Sequence, residues 1–287
     1  MATTTSFNVD ALGKWTDEHE LVVEPKRAIA YAKATNDENP RHLSGELAPP
    51  VFAIVPVWWT LGPSIFEVVP GELLMRALHG EQDMHLHRPI EPGMRLVSRA
   101  APVGVHSVKG GVVAVTRTET RTADGELVNE QWMTSFFRGA DDQVDVGESA
   151  PAHRVDPGER SSQPAAEVKQ RYDEDQTFRY SEASGDPMPV HLDEEIARSV
   201  GLPGIIIHGL CTMAFNSRAV VQELCGGDPE RLKRLAVRFS KPALPGQEIT
   251  TTMWSAGERD GRSVYAFESV SDEGGTVVKD GLAEVEA

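Results

Sequence analysis

Two titratable side chains on a stiff loop are the first candidates for chemistry in this chain. In Tyr180–Leu192, YSEASGDPMPVHL, Asp186 stands five residues before His191. Pro187 and Pro189 fix φ and remove main-chain donors, so the loop cannot run on as a regular helix. Gly185 permits a turn that a Cβ would resist. A carboxyl and an imidazole held on such a loop suit general acid–base work on a small substrate. The stretch also reads as a proline-rich turn with a solvated acid and a satisfied histidine. The loop alone does not choose between them.

The same loop occurs earlier in the chain. Tyr31–Leu43 reads YAKATNDENPRHL, and its Tyr, Ala, Asp, Pro, His and Leu recur at a constant offset of 149. RPIEPG from Arg88 matches KPALPG from Lys241 at an offset of 153. Two ordered matches in one direction identify a duplicated unit. The expected organisation is an N-terminal unit over 1–139, a linker over 140–168 rich in Asp, Pro, Gly and Ser, and a C-terminal unit over 169–287.

In each unit the loop precedes a helical pattern and then strands. Ile207, Leu210, Cys211, Ala214, Phe215, Ala219 and Val220 recur at helical spacing, and Gly226-Gly227 stop the pattern. In the first unit Pro56 and Pro63 interrupt the corresponding stretch, which predicts a shorter or kinked helix. Alternating runs broken by glycine turns follow in both units. One long helix and an antiparallel sheet per unit make an α+β fold with the sheet wrapped on the helix.

Composition narrows the partners. The 287 residues carry 44 acids against 28 Lys plus Arg, a formal charge of −16. That disfavours nucleic acid and anionic membranes. The N-terminal MATTTSFNVDALGKW lacks a basic segment followed by an apolar run, no stretch approaches a membrane span, and the C-terminus carries no peroxisomal tripeptide. Cys211 and Cys225 have neither disulfide nor zinc spacing and read as buried thiols. A reducing cytoplasmic location is the expectation. His85 and His87 share a strand face without a third ligand, so no metal is expected. Trp58 and Trp59 are expected to pack the first unit's interior.

YSEASGDPMPVHLDEEIA followed by GIIIHGLCTMAF resembles the MaoC-like dehydratase, or R-specific enoyl-CoA hydratase 2, family. HGEQDMHLHRPIEPG and AVRFSKPALPGQEITTTMW resemble its fused form, so the resemblance covers nearly the whole chain. It implies a double hot-dog fold, a homodimer, an acyl-CoA thioester substrate and no cofactor. The catalytic loop would sit in the second unit, with the first making room for the acyl chain. The reaction implied is reversible hydration of a trans-2-enoyl-CoA to a (3R)-3-hydroxyacyl-CoA.

The family's functional positions fall on Asp186 and His191 as the acid–base pair and on Gly209 as the oxyanion donor. The family loop is D-x-N-P-x-H, so its Asn falls on Met188, a thioether where an amide would hydrogen-bond. Asp37, Asn39 and His42 keep the full pattern in the first unit. By the 153 offset, however, Gly209 falls on Pro56, which has no N–H, so the second copy is read as catalytic. His208 is read as a site-lining or structural histidine. Arg238 and Lys241 are candidates for CoA phosphate contacts. Asp193, Glu194 and Glu195 read as a charged helix start. A hot-dog thioesterase and a non-catalytic acyl-thioester binding subunit are the alternatives.

Overall fold

The alternating runs pair into one antiparallel sheet. The computed structural model describes residues 6–287; the first five, part of the segment read for a signal, lie outside the described residues. The first unit contributes β1 (His19–Val22), β2 (Ala77–Leu86), β3 (Arg95–Val108), β4 (Gly111–Thr122) and β5 (Leu127–Arg138). A short β6 (Asp145–Gly147) pairs with β3. The second unit contributes β7 (Ala166–Arg171), β8 (Leu232–Phe239), β9 (Glu248–Arg259), β10 (Arg262–Ser271) and β11 (Thr276–Glu286). The strand order is β1-β3-β4-β5-β2-β8-β11-β10-β9-β7. Read outward from the centre, both halves have the same order. They join where β2 pairs β8, Asp83 opposite Ala236. This is the double hot-dog fold.

Each half-sheet wraps a helix. In the second unit α6 (Gly209–Leu224) buries Leu210, Met213, Ala214 and Phe215 in the main core, and Gly226 and Gly227 end it in the left-handed region, φ +66° and +83°. In the first unit α3 (Ile54–Val68) runs through Pro63 and is nearly as long, so the expected shortening is not found. Pro56 falls in the first turn, where no N–H is required. A single-turn 3-10 helix, Pro50–Ala53, leads directly into α3. Together, Pro50–Val68 is long and apolar enough for a membrane span, against the expectation from sequence, and 61% of its most apolar window is buried inside the fold. Trp58 packs on the core, whereas Trp59 is 62% exposed.

Four shorter helices complete the two units: α1 (Pro25–Ala34), α2 (Pro40–Leu43), α4 (Gln176–Ser184) and α5 (Glu194–Ser199). The segment 140–168 is laid onto the sheet. β6 extends the pairing, His153 Nδ1 donates to the Asp280 carbonyl at 2.7 Å, and Val155 packs with Ala236, Val264, Ala266 and Leu282. These residues lie on the face turned away from the helices, because side chains alternate along β8.

Candidate active site

The Asp186–His191 loop leaves α4 through Gly185, whose φ of +87° a side chain would strain. The Asp186 main-chain N–H donates to Ser184 Oγ at 3.2 Å, and Ser181 Oγ donates to the Asp186 carbonyl at 2.6 Å. Asp186 Oδ1 accepts from the Met188 N–H at 3.0 Å. Pro189–His191 forms a single 3-10 turn, and His191 Nδ1 donates to the Ile206 carbonyl at 2.8 Å. That bond places the proton on Nδ1 and leaves the Nε2 lone pair available.

The segment from Gly201 to His208 returns the chain to this loop. His208 is the residue before α6, and its ring lies flat on that of His191, centroids 3.8 Å apart and planes 25° apart. One donor atom each from Asp186, His191 and His208 lies within 4.8 Å of the others. Such a set has the composition of a zinc site, but stacked rings send their in-plane lone pairs side by side rather than toward one point.

Burial governs the charges here. Asp186 is 8% exposed, and burial lifts its carboxyl to about 6, opposed by the Met188 N–H. Burial pushes the His191 imidazolium below its ordinary value, opposed by the Ile206 carbonyl. His208 is driven to about 2 by burial and then by neighbouring His191, so it is neutral.

Gly209 opens α6. The first intrahelical bond runs from the Thr212 N–H to the His208 carbonyl, and no side chain caps the helix. The amides of Gly209, Leu210 and Cys211 are therefore free of helical partners and carry the positive end of the dipole. A Cβ on Gly209 would lie 3.2 Å from the Phe239 ring, which accounts for glycine there. Asp193 caps α5 through Ile196 N–H at 2.9 Å, and Glu194 accepts from Ile205 N–H at 3.0 Å, so Glu194 ties the returning segment to α5.

Not every sequence candidate reaches this place. Met188 is 45% exposed beside Asp186. Arg238 lies on the opposite sheet face from Phe239 and pairs with Glu81 at 3.4 Å and Asp280 at 3.9 Å. Lys241 is exposed against the turn at Gly275. The structure gives neither cation a contact with Asp186, His191 or His208. His85 lies against Trp132 with the rings tilted by 59°, and His87 contacts Glu130, both without a metal-like cluster among the described residues. The Ile206 carbonyl escapes sequence reading because any residue supplies one. Tyr180, whose ring lies 4.9 Å from His208, was visible as a repeated residue.

The first-unit copy is closed. Asp37 Oδ2 meets His42 Nδ1 directly at 2.7 Å, and His42 is 1% exposed. Its helix start also differs from the offset argument. The residues preceding α3 and α6 are Ala53 and His208, so Ile54, not Pro56, stands opposite Gly209. The first copy lacks a free amide end because Ala53 is already in the right-handed helical region and the 3-10 turn runs on into α3.

Residues 156–273 match the MaoC like domain, and residues 10–131 match the FAS1-like dehydratase domain region. The chain belongs to the MaoC-like dehydratase family. The structure of a MaoC-like dehydratase from Phytophthora capsici superposes with a TM-score of 0.83 at 28% identity, covering 98% of this chain and 99% of that one. A probable enoyl-CoA hydratase 2 of Dictyostelium discoideum is 29% identical, covering 78% of this chain and 80% of its own length. The 3-hydroxyacyl-thioester dehydratase Y of Mycobacterium tuberculosis is 29% identical over 95% of this chain and 93% of its own. The peroxisomal multifunctional enzyme type 2 of Drosophila melanogaster is 31% identical over 221 residues, and the match spans only 36% of that longer protein.

Proposed function

We propose that this MaoC-like protein is a hydro-lyase that adds water reversibly across a trans-2-enoyl-CoA to give a (3R)-3-hydroxyacyl-CoA, at Asp186 and His191. The observation that carries the reading is the contrast between the two loops. In the first, carboxylate and imidazole bond directly to each other; in the second, the imidazole is held by the Ile206 carbonyl and the pair is left open. The hydratase and dehydratase names of full-length relatives support the same chemistry.

Hydration requires removal of a proton from water as oxygen bonds to Cβ, and delivery of a proton to Cα. One member of the pair does each, so the pair must carry one proton between them, and the proton belongs to both. Negative charge grows on the thioester oxygen as water attacks. The Gly209 N–H at the positive end of α6 stabilises it. No cofactor enters these steps. A cytoplasmic homodimer goes with this reading.

The test is loss of the conjugated-thioester absorbance of crotonyl-CoA and longer enoyl-CoAs. Asp186→Asn and His191→Ala should each lower kcat by about 100-fold or more, while Asp37→Asn retains it per folded molecule. Full activity in Asp186→Asn would sink the assignment. Release of free thiol would mark a thioesterase, and CoA-ester binding without turnover a binding subunit.

A further inference from the structure

We propose that His79, from the first unit, is a positioning residue for the oxyanion donor of the second, bracing the Phe239 ring against Gly209. The inference rests on the hydratase reading above and goes beyond it.

The Phe239 ring tip lies against the glycine that opens α6: its Cε1, Cζ and Cε2 stand 3.2 to 3.3 Å from where a Cβ on Gly209 would be. His79 meets the same ring edge to face, centroids 5.0 Å apart and planes 70° apart. His79 is on β2 and Phe239 ends β8, so the contact crosses the seam between the units.

The brace is itself tied down. Gln131 Nε2 donates to the Ala53 carbonyl at 2.7 Å, and Gln82 Nε2 donates to Gln131 Oε1 at 3.0 Å. With its nitrogen so engaged, Gln82 turns its oxygen to His79 Nε2 at 3.0 Å, and the imidazole donates there. Burial lowers His79 to about 4, so the ring is neutral and its one N–H is committed to Gln82. What it offers the site is a fixed edge.

The closed copy has different residues in these places. At the offset of 153, His79 falls on Leu232 and Phe239 on Leu86. Both leucines line a small cavity in that copy. The unit without a free amide end has two aliphatic side chains there, and the unit with one has two rings. An oxyanion donor acts as charge develops in the transition state, so its placement governs kcat more than substrate binding. A misplacement of roughly 1 Å can cost about 100-fold.

With enoyl-CoA as substrate, His79→Ala should lower kcat about tenfold or more per folded molecule, with little change in KM. His79→Phe restores a ring edge and should recover most of that loss. Phe239→Leu should show the same kcat-selective loss, and adding His79→Ala to it should cost little more, because one residue acts through the other. Wild-type kcat in folded His79→Ala or Phe239→Leu would overturn the proposal, as would a His79→Phe protein as slow as His79→Ala. If the wild-type protein hydrates no enoyl-CoA, the hydratase reading fails separately. The crystal structure of His79→Ala then decides on the brace: a Phe239 ring swung away with Gly209 displaced upholds it, and both residues unmoved refute it.

Discussion

The hydroxyls of Tyr31 and Tyr180 meet 3.2 Å apart at the middle of the molecule, and the two residues are separated by the repeat offset of 149. They mark the axis that relates the two units. Around it the same bonds are made twice in opposite directions. Arg27 Nε donates to the Ala183 carbonyl, and Gln176 Nε2, at the equivalent position, donates to the Ala34 carbonyl. Asn36 and Gly185 are likewise equivalent, and both have positive φ.

The two tyrosines are not interchangeable. Tyr31 donates its proton to the Val51 carbonyl, so Tyr180 is the donor of the shared bond. Tyr31→Phe strands the buried Tyr180 hydroxyl, whereas Tyr180→Phe strands nothing; the Val51 carbonyl keeps the Ile54 N–H in either case. Chemical denaturation should find Tyr31→Phe destabilised by about 2 kcal/mol and Tyr180→Phe by less than half of that. Equal losses would contradict the donor assignment.

The pH profile of kcat/KM follows from the shared proton. The pair keeps its single proton below the Asp186 value of about 6 and loses it as pH rises through that value. It gains a second proton when His191 is protonated, below the ordinary histidine range. Hydration should therefore peak on the acid side of neutrality and decline above about pH 6. A rate constant level between about pH 6 and 8 would rule out a one-proton pair with these values.

Burial of Asp186 also has a stability signature. A carboxyl raised from 3.8 to about 6 binds more protons in the folded state. Folding is thus fully supported below about pH 4, and that support is lost as pH rises through about 6. Asp186→Asn should stabilise the protein at pH 7 by at most about 3 kcal/mol and change little near pH 4. Equal shifts at both pH values in thermal unfolding would argue against a raised carboxyl.

Asn39 shows what Met188 has given up. Asn39 Oδ1 accepts from Arg41 N–H at 3.0 Å and caps α2, while its Nδ2 donates to the Gly227 carbonyl at 2.8 Å. Met188 caps nothing, and the turn after it is a three-residue 3-10 helix. Met188→Asn should supply a cap worth about 1 kcal/mol and raise Tm by roughly 2 °C. Hydration should stay within a few-fold. A lower Tm would show that the loop cannot close on the amide.

The duplication and the strand-rich halves were legible because side-chain spacing and turn residues write them directly. The helix onset was not: the 153 offset fits the strands, while the residues preceding α3 and α6 stand 155 apart, and only main-chain geometry reveals the difference. Arg234 likewise reads as a surface strand residue. It is instead buried between Asp83, at 2.7 Å across the seam between the units, and Glu284 of its own unit, at 3.1 Å. Both partners are distant in sequence, so nothing local announces the network. Arg238 stands apart from the Asp186–His191 loop because alternation along β8 puts it on the face opposite Phe239.

The acceptor that fixes the His191 tautomer is a peptide carbonyl. Side-chain replacement at position 206 leaves that oxygen in place, so this control of the imidazole is hidden from substitution scanning. It is exposed instead to changes in chain length: one residue inserted or deleted between Gly201 and Ile207 would swing a different peptide group toward the imidazole. The segment can vary in letters while its length stays under constraint.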